Sequence, residues 1–494
     1  MKNSTSRKND GLVSCFIPFG DEQATQKTVN SLRESPIVKN IYLLYVNEKP
    51  NLADCKTLKI DTLQSSASML AIAKQTDTEY CLIYTKYTPL ELGQFAIERF
   101  ARCANDTRAG LVYSDFYQMQ GGARKPMPTI NYQFGSVRDD FNFGSLLFFN
   151  AEMLQNAVKE MNTSYQFAGL YDLRLRISQK NAIFRLNEFL YTEIEEDNRK
   201  SGEKQFDYVN PKNRQVQIEM ENACTEHLKR IGVFLPPEFK SVDFNTSFEY
   251  EASVIIPVRN REKTIEDAIQ SVLTQKTDFK FNLIIINNHS TDRTGEIIEQ
   301  YAKKDARLIH LIPKQINLEI GGCWNEGVQS SHCGKFAVQL DSDDVYASAE
   351  TLQTIVNTFH KEQCAMVVGS YTMTNFAMET IPPGLIDHKE WTAENGHNNA
   401  LRINGLGAPR AFYTPILREI KFPNTSYGED YALGLRFCRE YRIGRIYDSI
   451  YLCRRWDENS DAALDISKLN NYNFYKDTLR TMEMRARKFK IPLG

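Results

Sequence analysis

The chain has 494 residues, more than one ordinary core accommodates, and a prior of about 150 residues per domain gives two to four domains. Apolar residues make up 42% and charged residues 25%, the balance of a folded globular protein rather than a disordered chain. Sixty basic residues against sixty-two acidic ones leave a formal charge of −2, which excludes the basic excess of a general nucleic-acid binder.

The predicted elements, in chain order, read as one plan used twice. Leu12–Pro18 (LVSCFIP) opens the first copy and Ala252–Pro257 (ASVIIP) the second. Ile41–Asn47 matches Phe281–Asn287, Tyr80–Thr88 lies over Phe336–Asp344, and Tyr171–Ile177 lies over Tyr431–Phe437. The offsets are 239, 240, 256 and 260 residues, growing as if loops lengthened while the order of elements was kept. In the second copy Ser253–Ile256 and Leu283–Ile286 are short continuous apolar runs, the pattern of strands buried on both faces. Thr264 with Asp267 three residues on has the form of a capping box, followed by Ile265, Ala268, Ile269 and Val272 at helical spacing. A helix begins at Ser290–Thr294, and Phe336–Leu340 is a third strand that ends in acid. Strand, helix, strand, helix, strand predicts an α/β fold with a parallel sheet covered on both faces. Ligands of such sheets gather beyond the carboxyl ends of the strands.

The expected domains are therefore 10–235, a linker at 236–250, a second domain at 251–465, and a helical tail at 466–494 that is basic near its end. No apolar run approaches the roughly 20 residues of a membrane span, and the polar N-terminus lacks the apolar stretch of a signal peptide. The expected location is cytoplasmic, with peripheral contact at the inner membrane face as one reading of the basic tail and a solvated helix end as the other. Ten scattered cysteines without a C-x-x-C pair read as buried thiols.

Three sequence clusters carry chemistry. Asp341-Ser-Asp-Asp344 follows directly on a strand, and acids this close repel one another unless a cation sits among them. The competing reading is an acidic turn capping a helix. Ile286–Thr294 (INNHSTDRT) offers amides and hydroxyls to a base or ribose, or caps to the next helix. Glu429-Asp430 precedes a helix, as a macrodipole partner or as a general base.

Together these pieces resemble family 2 glycosyltransferases of the GT-A fold. The resemblance runs from Ala252 to about Asp461 and rests on Ile256-Pro-Val-Arg-Asn260, Asn287–Thr294, Asp341-Ser-Asp343 and Glu429-Asp430, in that order. It implies two GT-A-like, Rossmann-like domains in tandem, the second catalytic. It implies that Pro257, Arg259, Asn287, Asn288 and Asp292 hold the nucleotide, and Arg454 or Arg455 is expected to help hold the diphosphate. Asp341 would hold ribose and, with Asp343, a Mn²⁺ or Mg²⁺ ion; Asp430, beside Glu429, would be the catalytic base. The implied reaction is an inverting transfer from a nucleotide sugar, a UDP-sugar favoured, to a glycan or lipid-linked acceptor. Trp391, His397 and Arg410 are candidate acceptor contacts, with core aromatic and solvated loop as the competing readings. Two positions depart from the family pattern: Asn287 stands where an Asp is usual, and Trp456 follows Arg454-Arg455 where a His is frequent.

Under the same overlay the first copy has Thr85, Tyr87 and Thr88 in place of Asp341, Asp343 and Asp344, and Leu170 in place of Asp430, with Asp172 two residues away. That copy is expected to keep the scaffold without catalysis. The rival readings of the whole are a non-catalytic glycan- or nucleotide-sugar-binding scaffold and a sugar-phosphate nucleotidyltransferase. The latter would need a glycine-rich phosphate loop where Val258–Glu262 has no glycine. The oligomeric state is not legible.

Overall fold

The computed structural model describes residues 11–194, 213–389, 392, 394–456 and 465–490. The chain divides into two compact units. Among described residues, unit one takes 11–194, 215–231 and 465–477, and unit two takes 213–214, the stretch from 232 to 456, and 478–490.

Unit one runs β1 (Val13–Pro18), α1 (Glu22–Arg33), β2 (Val38–Tyr45), β3 (Lys56–Lys59), α2 (Ser66–Gln75), β4 (Tyr80–Tyr84), β5 (Glu91–Leu92), α3 (Ala96–Thr107), β6 (Leu111–Gln120) and β7 (Ala123–Met127). It continues with β8 (Leu146–Asn150), α4 (Ala151–Lys159), α5 (Gly169–Lys180), β9 (Ile183–Ile194) and α6 (Arg214–Arg230). Three of its helices start where short polar side chains accept from free backbone N–H groups: Asp21 caps α1, Ser65 caps α2 and Asn150 caps α4.

Unit two runs β10 (Ala252–Val258), α7 (Ile265–Leu273), β11 (Phe281–Asn287), α8 (Thr294–Lys304), β12 (Leu308–Leu311), α9 (Ile320–Gln329), β13 (Phe336–Gln339), β14 (Val345–Tyr346) and α10 (Thr351–Glu362). Then come β15 (Met366–Thr374), β16 (Thr380–Ile386), α11 (Gly396–Asn399), β17 (Arg410–Tyr413), α12 (Thr414–Ile420), α13 (Glu429–Cys438) and β18 (Ile443–Arg454). The last helix, α14 (Ile466–Lys488), gives residues up to 477 to unit one and the rest to unit two.

The repeat read from sequence is present in the topology. Unit one has strand order β3-β2-β1-β4-β8-β6-β9-β5 with β7 beside β6, and unit two has β12-β11-β10-β13-β17-β15-β18-β14 with β16 beside β15. Both are α/β units built on the same plan, in tandem. The sheets are mixed rather than parallel: β17 runs antiparallel to both β13 and β15, and β8 does the same in unit one. The half built from the apolar runs β12-β11-β10-β13 is parallel throughout and holds the sequence signal, while in the other half β15 and β18 also run parallel. Every residue of β10 and β11 is buried, which is what their unbroken apolar runs demand. The register also refines the overlay. Ile17 pairs with Leu43 and Ile256 with Ile285, so the second strands correspond at an offset of 242 rather than 240 (285 against 43), the first pair carrying an irregularity between Val13 and Ser14. In that register the buried Asn40 bonds Ser14, and its counterpart Asn282 bonds Ser253.

Residues 236–250, expected as a linker, are packed within unit two. Lys240 N–H donates to Glu440 O at 2.8 Å, and Tyr413 Oη donates to Asp243 O at 2.7 Å. In the basic tail Arg485, Lys488 and Lys490 are exposed, as a solvated helix end has them, and Arg487 alone of the four is not. Arg487 is buried, pairs with Glu483 at 2.8 Å and donates to His397 O at 2.7 Å. Among the described residues no helix is long and apolar enough to cross a membrane. All ten cysteines are free and eight are buried.

Candidate functional site

Two loops beyond β10 and β11 are knitted together before any ligand is considered. Asn260, at φ +53°, and His289, at φ +56°, turn the chain in the left-handed region. The Asn260 N–H donates to Ser290 Oγ at 3.0 Å and its Oδ1 accepts from the Thr291 N–H at 2.8 Å. Asp292 accepts from the Glu262 and Thr294 N–H groups at 3.1 and 3.0 Å. Burial works to raise its carboxyl pKa, but these hydrogen bonds outweigh it and hold the group below its usual value. Asn287 closes β11, and its amide oxygen accepts from the Ser290 N–H at 3.0 Å while Nδ2 faces His310. Asn288 donates to Leu318 O at 2.8 Å, and its buried Oδ1 has no hydrogen bond. Pro257 is buried beside Ile286, and Arg259 is exposed at the head of its loop.

The acidic turn sits one residue beyond β13. Asp341 accepts from Gln339 Nε2 at 3.0 Å and from Tyr451 Oη at 3.1 Å, and its own N–H donates to the same phenol oxygen. Asp344 is buried and accepts from the Arg454 N–H at 2.7 Å. Burial, with Asp343 and Asp341 beside it, raises its carboxyl well above the usual range, so its place is structural. Asp343 is the acid turned outward. Its Oδ2 takes Trp456 Nε1 at 3.4 Å and lies 3.9 Å from Arg261 Nε, and Arg261 and Lys263 both lie over the Trp456 ring.

Arg454 departs from expectation. Its side chain is 0% exposed, where a diphosphate could not reach it. It donates to Asp343 O at 2.5 Å and pairs with Asp267 at 2.6 Å. Asp267 is therefore no capping-box partner. Thr264 makes no side-chain cap and donates its hydroxyl to Ser342 O at 2.9 Å. Both ends of the supposed box fasten the acidic turn instead. Arg455 is half-buried and its N–H joins Thr374 O at 2.8 Å.

The second acidic pair opens α13. Gly428, at φ +79°, delivers the chain into it. Asp430, with its side chain 26% exposed, pairs with Arg410 at 3.0 Å. Glu429 is buried; burial, with Asp430 beside it, pushes its carboxyl up to about 8. Arg410 is the connection the sequence did not show. Burial opposes its charge, but Asp430, Asp341 and Glu429 all act on it and raise its pKa. The strand-end cluster and the helix-start acids thus converge on one guanidinium. Arg410, expected as an acceptor contact, is committed to Asp430.

His397 does not join this group. It is buried, packed on Phe239 at 5.1 Å, and burial lowers its pKa to about 4, so it offers no exposed face to an acceptor. Trp391 lies outside the described residues. Sequence reasoning also missed Tyr451 and Gln339, which orient Asp341. No local pattern marks them, because Tyr451 is brought in by the pairing of β18 with β14.

A divalent cation is implied by the family resemblance. Among the described residues no three Asp, Glu, His or Cys side chains group to hold an ion by themselves. Asp343 and Asp341 still fit a cation that takes one or two carboxylates and completes its shell with water and substrate phosphate.

In unit one the matching places carry other chemistry. Lys86 pairs with Glu193 at 2.8 Å beyond β4, and Tyr87 is 50% exposed. Asp172 is buried between Arg176 at 2.8 Å and Arg230 at 3.2 Å, a structural ion pair rather than an available base.

Residues 253–414 match the family described as Glycosyl transferase family 2, and unit two carries a glycosyltransferase domain of that family. Among curated relatives, the uncharacterized glycosyltransferase EpsJ of Bacillus subtilis is 34% identical over 136 residues, 27% of this chain and 38% of that protein. The minor teichoic acid biosynthesis protein GgaB of the same organism is 33% identical over 271 residues, 50% of this chain and 28% of that protein. The chain thus spans well under half the length of these relatives. Among solved structures, residues 1–349 of Staphylococcus aureus TarS with UDP-GlcNAc are 22% identical, covering 49% of this chain and 73% of that one at a TM-score of 0.37.

Proposed function

We infer that unit two transfers a sugar from a nucleotide-sugar donor, a UDP-sugar favoured, to a hydroxyl of a glycan or lipid-linked acceptor, with inversion. The observation that carries this reading is the 3.0 Å pair of Arg410 with Asp430, on a guanidinium whose charge Asp341 and Glu429 also favour. It brings the proposed donor end and the proposed base into one electrostatic neighbourhood. Teichoic acid and lipid-linked glycan enzymes among the relatives support the acceptor class, including the Escherichia coli UDP-Glc:alpha-D-GlcNAc-diphosphoundecaprenol beta-1,3-glucosyltransferase WfgD, 26% identical over 232 residues, 47% of this chain and 86% of that protein.

In this scheme the knit loops at Asn260 and Asn287–Asp292 form a rigid floor for the nucleoside. Asp343 and Asp341 would hold a Mn²⁺ or Mg²⁺ ion, which when bound supplies charge neutralisation to the departing diphosphate. Arg261 and Lys263, beside Asp343, add positive charge on the same side. Asp430 takes the acceptor hydroxyl proton. The acceptor oxygen forms its bond to the anomeric carbon as the bond to the diphosphate oxygen breaks, and the nucleoside diphosphate leaves. Arg410 positions Asp430, and burial, with Asp430 beside it, pushes the Glu429 carboxyl up to about 8.

The test is a donor screen of UDP-, GDP- and dTDP-sugars with Mn²⁺, read by nucleotide release. Asp343→Ala should remove the metal-dependent part of the rate. Equal rates with and without chelator in the wild type would take the metal out of the scheme, and no release from any donor would sink the reading.

A further inference from the structure

Unit one holds a cavity of about 610 Å³ lined by Pro89, Glu91, Met119–Gly122 and Thr192–Ile194. Strand register shows what stands in the same place in unit two. Glu91 pairs with Thr192 where Val345 pairs with Leu452, and Gln118 pairs with Glu193 where Met373 pairs with Cys453. Apolar pairs have been replaced by polar ones. Met119 pairs with Ile194 where Thr374 pairs with Arg454. Two residues beyond Thr374 comes Phe376, whose ring packs on Trp456 at 5.2 Å and under Arg454 at 5.0 Å. Two residues beyond Met119 comes Gly121, and a Cβ built on Gly121 or Gly122 would meet nothing within 4 Å. The ring that fills this corner of unit two is missing from unit one.

The cavity wall carries an unmet hydrogen-bonding group. Glu193 has a side chain 3% exposed. Its Oε1 accepts from Lys86 at 2.8 Å and Gln118 at 3.4 Å, while its buried Oε2 has no hydrogen bond. A buried carboxylate oxygen without a donor costs free energy until one arrives. Lys86 already balances the Glu193 charge, and Glu91 adds a second carboxylate to the wall. Phosphate would face the carboxylates of Glu193 and Glu91 with the nearest ammonium engaged. A hydroxyl donor suits the site, and the volume lies in the range of small-ligand pockets.

We propose that unit one binds a neutral saccharide in this cavity, a sugar hydroxyl donating to Glu193 Oε2 and the Gln120–Gly122 turn forming the rim. It is a second carbohydrate site, independent of the catalytic reading of unit two. The experiment is a ligand-observed NMR titration of the full chain with β-linked disaccharides of glucose, galactose and N-acetylglucosamine, and with UDP. At least one disaccharide should bind the wild type. Glu193→Gln, which removes the charged acceptor at nearly constant shape, should weaken it about tenfold or more. Gln120→Trp, at an exposed rim position, should do the same by filling the mouth, with folding and nucleotide release at wild-type levels. The proposal is overturned if no disaccharide binds at about 10 mM, or if both variants keep wild-type affinity. It is equally overturned if UDP binds and Glu193→Gln abolishes that binding.

Discussion

Asp430→Asn separates catalysis from stability better than any other single change in this site. Asn keeps the size and loses the charge, so Arg410 forfeits a 3.0 Å partner whose side chain is 26% exposed. Removing one member of a buried pair costs about 3–5 kcal/mol when the other is left uncompensated. Arg410 is not left so, because Asp341 and Glu429 remain beside it. Loss of Asp430 also relieves the like charge that helps burial raise Glu429. The two effects offset, and the expected stability change is about 1 kcal/mol or less, a few degrees in Tm at most. Loss of the general base should lower turnover by about 10²–10⁴, equivalent to roughly 3–5 kcal/mol in the barrier. Nucleotide release at saturating donor, with and without acceptor, reads the second quantity, and thermal unfolding reads the first. Turnover within about threefold of wild type, with folding intact, would refute Asp430 as the base. A loss of activity that merely follows a large loss of stability would refute the separation argued here.

Glu429 makes stability depend on pH with a definite sign. Its folded pKa, about 8, is raised above its ordinary value of 4.5, so its contribution is complete at low pH and is lost as pH rises through that window. Each pH unit there removes about 1.4 kcal/mol per proton. Glu429→Gln should therefore flatten the Tm profile between pH 5 and 8 relative to wild type, and parallel profiles would contradict the burial argument. Arg454→Ala removes a fully buried guanidinium that holds the half-exposed Asp267 and the Asp343 carbonyl, and a loss of about 1–3 kcal/mol in urea unfolding is expected. Gly321→Ala places a Cβ 1.9 Å from Pro423 O, a backbone atom that cannot turn aside. It should cost about 1–3 kcal/mol and lower activity through the segment leading to Glu429, and a neutral result would show that α9 and this segment move apart freely.

The parallel half of each sheet was legible because a strand buried on both faces writes itself as an unbroken apolar run, as Ala252–Val258 does. The antiparallel strand β17 was not. Its four residues, Arg410–Tyr413, are too short to show a period, and a pairing partner cannot be read from one strand. The acids were visible as acids, but what orients them was not. Tyr451, Arg410 and Arg454 are each placed by contacts more than 15 residues distant, at a cluster where local sequence shows only like charges. The Thr264–Asp267 spacing misled for a related reason. A capping box satisfies a helix end with its own residues, whereas here Ser342 and Arg454 offer better partners, and both side chains turn outward to them. His397 and Arg487 misled through their charge: both look like surface groups in sequence, and both are buried against each other's surroundings.

The duplicated plan explains why conservation of architecture and conservation of chemistry separate so cleanly in this chain. The strand order, the Ser–Asn pair between the first two strands, and the buried tyrosines Tyr191 and Tyr451 recur in both units. These features close backbone and core. The strand ends obey no such constraint. Where unit two gathers Asp341, Asp343 and Asp344, unit one needs only a stable turn, and Lys86 with Glu193 supplies one. Clustered acids are costly to a fold unless they do something for it: burial and Asp343 raise the pKa of Asp341, and burial, Asp343 and Asp341 raise that of Asp344. Their retention in one unit, and their replacement by a neutral pair in the other, is the pattern expected if the turn after β13 works on a cationic or phosphorylated ligand and the turn after β4 does not.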